Sequence, residues 1–113
     1  MDFINYNNME IIDDGKIKVD ICDKTLNPFN IVHGGLIFSM GDTVMGLMIK
    51  NTGRNAVTIS SSINFISPGV GKYLVAQASV VKNGMHTCVA EAKIVNDKGT
   101  LVATMSGTYY YIS

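Results

Sequence analysis

The 113-residue sequence predicts a single α+β domain, residues 1–113, with one long buried helix set against a curved antiparallel sheet of five strands. Three observations carry this expectation. The run Gly34–Ile49 (GGLIFSMGDTVMGLMI) is too long for a strand, lacks proline and is apolar nearly all the way round, which marks an enclosed helix. Four strand-like segments follow it, the first rich in β-branched residues, separated by turn-forming sequences. The length allows one core, and a composition 47% hydrophobic and 16% charged is apolar enough to fill it.

Taken in order, MDFINYNNMEIIDDGK leaves little room for a further helix ahead of the first strand. It also lacks the charged and apolar regions of a signal peptide, so a cytoplasmic location is expected. Lys16–Ile21 alternates, with Ile17, Val19 and Ile21 on one face, as a half-buried strand does. The loop CDKTLNPFNIVHGG carries the turn residues Asn27, Pro28 and Asn30. Within the helix, Gly41 and Gly46 each cost up to about 1 kcal/mol against alanine, a cost expected where another backbone comes close.

Strands are expected at Ala56–Ile66, Lys72–Lys82, His86–Val95 and Leu101–Ile112, with turns at Ser67-Pro68-Gly69, Asn83-Gly84 and Asn96–Gly99. Three short turns in succession predict an antiparallel meander. So small a sheet covers one side of an all-round apolar helix, and a second copy is the expected cover.

Nine basic residues balance nine acidic ones, which gives no field for nucleic acid. No uninterrupted apolar run reaches membrane-spanning length. Cys22 and Cys88 show no metal-ligand spacing and are expected as two reduced thiols.

Asp42 is the only charged residue between Gly34 and Ile49. A carboxylate on a buried helix is either a structural group at a bend or dimer seam, or a base or nucleophile in a cleft. His33-Gly34-Gly35 opens the helix, where free backbone N–H groups can hold a developing oxyanion and glycine lets a ligand approach. Gly34 and Asp42 are about 12 Å apart along the helix axis. If both serve one small carbonyl, they belong to different subunits. Phe38, Met45 and Met48 either line an apolar tunnel for an acyl group or fill the core.

Asn27, His33-Gly34-Gly35, Asp42 and the segment TISSSINFISP together resemble the hotdog-fold acyl-CoA thioesterases of the PaaI (phenylacetate-pathway) type, over roughly Leu26 to Tyr109. The resemblance implies a helix wrapped by a curved sheet, dimers that share active sites and often pair into tetramers, and hydrolysis of a thioester to a free acid and CoA. It implies Asp42 as general base or nucleophile, the Gly34 N–H as carbonyl polariser, Asn27 as the group orienting that carbonyl, and His33 as its support. Ser60 falls where some members position the attacking water with a hydroxyl. Strict alternation sets Ser60, Ser62 and Asn64 opposite Ile59, Ile63 and Phe65, so Ser60 reaches Asp42 only if the polar face lines the cleft or a bulge intervenes. No cofactor beyond substrate CoA and no metal is implied, and a carrier protein in place of CoA stays open. The alternative function is a non-catalytic acyl-CoA binding or sensor module on the same fold.

Overall fold

The structure is a computed structural model that describes residues 2–113. Helix α1 (Asp2–Tyr6) and strand β1 (Met9–Asp13) lead into β2 (Lys16–Asp20), the long helix α2 (Gly34–Lys50), and strands β3 (Ala56–Phe65), β4 (Tyr73–Asn83), β5 (Thr87–Asn96) and β6 (Leu101–Tyr111). The sheet has six strands in the order β1-β2-β4-β5-β6-β3, every neighbouring pair antiparallel.

The sixth strand and the short α1 correct the expectation for the N-terminus. β1 is an edge strand that buries only Met9, so it shows no alternating pattern to read. Its local signal is Asp14-Gly15, with Gly15 at φ +70°, which turns the chain back into β2.

The meander is also corrected. β4, β5 and β6 follow one another as neighbours, but β3 pairs with β6 at the far edge of the sheet. Residues 66–72 are therefore a crossover and not a hairpin. Three strand spacings amount to about 14 Å, which seven residues of extended chain easily span. The crossover rests on the start of α2, where the Val32 N–H donates to the Gly69 carbonyl at 2.9 Å. A Cβ on Gly69 would press on Val32 and Ile37.

Helix α2 lies against strands β2 to β6. It buries Ile37, Met40, Val44, Met45 and Ile49 over a floor of small residues that includes Ala76, Ala90, Ala92 and Ala103. Gly41 makes room there, because a Cβ would collide with the Met105 sulfur unless that side chain moved. Met45 packs at Gly107 and Met48 at Gly15, so these two methionines serve the core. Cys22 is exposed and Cys88 buried, and neither is bridged. Among the described residues, no helix is long and apolar enough to cross a membrane.

Candidate active site

The first half of the site is the entrance to α2. The Asn27 N–H donates to the Ile31 carbonyl at 2.8 Å, and the Asn30 N–H donates back to the Asn27 carbonyl at 3.0 Å, with Asn30 at φ +62°. The side-chain Oδ1 of Asn27 accepts from the Phe29 N–H at 2.9 Å and from the Ile31 N–H at 3.4 Å. These bonds fix which way the amide faces. Its Nδ2 donors find no acceptor among the described residues and stay free for a ligand.

His33 caps the helix. Its Nδ1 accepts from the Gly35 N–H at 2.8 Å, which assigns the remaining ring proton to Nε2 in the neutral imidazole. The N–H of Leu36 is taken by the His33 carbonyl at 3.0 Å. In this first turn the Gly34 N–H alone has no acceptor among the described residues. It faces a depression of about 390 Å³ lined by Asn27, Val32, Gly34, Ile37, Phe65 and Pro68.

The second half of the site lies two turns along the same helix. Both Thr58 Oγ1 at 2.9 Å and Tyr109 Oη at 2.8 Å donate to Asp42 Oδ1. Tyr109 Oη also lies 3.1 Å from the Asp42 carbonyl oxygen. Oδ2 has no donor among the described residues, and Asp42 lines a cleft of about 610 Å³. The two hydroxyls thus hold one carboxylate oxygen and leave the other without a partner among the described residues.

Tyr109 was not singled out as a site residue in the sequence. It is 2% exposed, and burial together with the adjacent Asp42 pushes its pKa up. Tyr109→Phe should cost about 1.5–3 kcal/mol of stability, the worth of a hydrogen bond to a charged group. The wild type should also lose stability as pH rises above about 10, where the unfolded phenol ionises and the folded one keeps its proton. Denaturant melts at neutral and alkaline pH check both, and the gap between the two proteins should narrow at alkaline pH.

The expectation for Ser60 is corrected by the register. Thr58 pairs with Tyr109 and Ser60 with Thr108, so Ile59 is an extra residue that bulges from β3. Thr58 therefore shares the helix side of the sheet with Tyr109, while Ser60 points to the opposite face with Thr108. A bulge does intervene, but it delivers Thr58 to Asp42 and takes Ser60 away. Arg54, the single arginine, is engaged elsewhere: its guanidinium stacks 3.3 Å from the Tyr111 ring centroid and donates to the Met85 carbonyl at 3.1 Å. No group of three metal-binding side chains occurs among the described residues.

An acid oxygen held by two hydroxyls and a bare N–H at a glycine-opened helix thus lie on one helix. The thioesterase superfamily model matches residues 29–103. The chain belongs to the thioesterase superfamily. Its architecture is the hotdog fold of the PaaI type. It is similar to the acyl-coenzyme A thioesterase PaaI of Escherichia coli, with 32% identity over 97 residues, 85% of this chain and 69% of PaaI. The PaaI structure matches with a TM-score of 0.94 at 29% identity, covering 100% of this chain and 86% of that one. An Archaeoglobus fulgidus protein described as an esterase is 31% identical over 87% of this chain and 64% of its own length, so the chain spans about two thirds of these curated relatives.

A hypothetical thioesterase of Streptococcus pneumoniae, solved with coenzyme A, matches with a TM-score of 0.84 at 29% identity over 93% of this chain and 87% of that one. Two further structures of that protein carry alanine in place of an aspartate and of a threonine sixteen positions later. Asp42 and Thr58 have the same separation here.

Proposed function

We propose that this protein hydrolyses acyl-CoA thioesters at sites built from two copies of the chain. One observation carries the reading: the free donor at Gly34 and the free carboxylate oxygen at Asp42 sit on one helix, about 12 Å apart along its axis. One thioester carbonyl cannot span that gap, whereas two antiparallel copies bring each donor to the other copy's base.

The exposed edge supports such a pairing. β3 is ten residues long, lies at the sheet edge and carries no charge, while Val57, Ile59 and Phe65 are each about half exposed. An edge of this kind is open to a second strand unless something blocks it. β1, at the other edge, carries Glu10 and Asp13.

In the reaction, the Gly34 N–H and the Asn27 Nδ2 donors bind the thioester oxygen as it gains charge, and one such donor contributes about 10²–10³ in rate. His33 holds the turn that presents them. Asp42 Oδ2 of the other copy takes a proton from water as the water oxygen attacks the carbonyl carbon. The C–S bond then breaks, the sulfur leaves as CoA thiol with that proton, and the free acid remains. CoA is the thiol carrier favoured here, because PaaI is named for it and the streptococcal structure holds it.

Loss of thioester absorbance across a panel of acyl-CoAs tests the reading. Turnover of at least one member is expected, and no turnover on any of them contradicts it. Thr58→Val should lower kcat about tenfold, since it removes a hydrogen bond to the carboxylate worth about 1.5 kcal/mol. Ser60→Ala should stay within about twofold of wild type, as a surface substitution does. Equal losses in the two variants would undo the assignment of Thr58.

A further inference from the structure

The cleft beside Asp42 runs on along α2, away from the carboxylate. Asp42, Gly46 and Lys50 follow at intervals of four residues and form one stripe of the helix. Phe3 and Ile4 of α1, with Leu47, Val57 and Ile112, wall the groove over this stripe.

The two interior glycines of α2 differ in a telling way. Gly41 lies against the Met105 side chain, as described above. A Cβ on Gly46 would meet no atom of the described residues within 4 Å. Glycine weakens a helix interior relative to alanine, so Gly46 carries a cost that no packing contact among the described residues explains. The space its missing side chain leaves is part of the cleft that holds Asp42.

We propose that Gly46 is a specificity-determining residue that keeps open a groove for the acyl portion of a medium-chain aliphatic or arylacyl thioester. The inference rests on the thioesterase reading and names the substrate class for that site. Most of the lining surface is apolar, with Thr43 and Asn55 polar among it, and would favour a hydrocarbon over the phosphates of CoA; among the described residues Lys50, at the far end, is the one cation lining it. A cleft of about 610 Å³ is of the size that encloses small ligands. With the carbonyl held beside Asp42 by the other copy's donors, the acyl group has about 6 Å of helix axis before it passes Gly46 and about 12 Å before Lys50. An acetyl group would not reach the glycine, whereas an octanoyl or phenylacetyl group would.

The test compares kcat/KM for acetyl-, butanoyl-, octanoyl- and phenylacetyl-CoA in wild type, Gly46→Ala and Gly46→Leu, with oligomeric state followed by sedimentation. The octanoyl-to-acetyl ratio should fall in both variants, by about tenfold or more with leucine. Gly46→Ala should also melt at a higher temperature than wild type, which shows that the fold does not need the glycine. If the leucine variant does not fold, the alanine ratio decides alone. An unchanged ratio in an active enzyme, or equal losses on all four substrates, overturns the inference and leaves the thioesterase reading standing. Dissociation of the leucine variant overturns it too, because it would place a second copy against Gly46. A wild type that turns over no thioester defeats the thioesterase reading, and the inference falls with it.

Discussion

Asp42→Asn is expected to lower kcat for acyl-CoA hydrolysis by at least about 10²-fold, the contribution of a positioned general base. Asparagine suits this test because of how the site is wired. Thr58 and Tyr109 both donate to Oδ1, so the amide oxygen of asparagine would take that place and keep both bonds. The amide nitrogen would then stand where Oδ2 stands and could not accept a proton. Fold and oligomer should survive, checked by a thermal melt and by sedimentation, so that the loss reads as chemistry. Turnover within a few-fold of wild type would exclude Asp42 as the base.

Gly34→Pro is expected to lower kcat by about 10²–10³, the typical worth of one oxyanion donor. Gly34 is the first residue of α2, where proline is well tolerated because its missing N–H has no helical partner. The preceding His33 already has φ −57° and ψ 130°, the extended geometry a residue before proline prefers. Proline thus deletes one N–H with little cost to the helix. A Cβ at this position would lie 3.2 Å from Phe65 Cζ, so Gly34→Ala is the steric control. Alanine keeps the donor and should retain most of whatever activity proline loses. Steady-state kinetics of the two variants side by side separate the hydrogen bond from the crowding.

Much of this molecule was legible in its sequence, and the gaps have physical causes. The run Gly34–Ile49 announced α2 because an enclosed helix has no polar face to confuse the pattern. Asp42 stood out for the same reason, as a lone charge on that run. β1 went unseen because an edge strand with four exposed residues leaves no alternation. The place of β3 went unseen because adjacency in sequence argues for adjacency in the sheet. Only long-range pairing with β6 decides otherwise. Thr58 was missed for a local reason: the bulge at Ile59 resets the alternation that pointed to Ser60. Tyr109 was visible only as one of three consecutive tyrosines, and its bond to Asp42 spans 67 positions of sequence.

The central claim is that each active site takes its oxyanion donor from one copy and its base from the other. Mixing inactive Asp42→Ala with inactive Gly34→Pro subunits, under conditions where exchange is demonstrated, tests it most directly. In a mixed dimer one site would combine both defects and the other would have neither. With random exchange half the dimers are mixed, each with one intact site of two, so activity should return to about a quarter of wild type. Proven exchange with no return of activity would contradict the shared site.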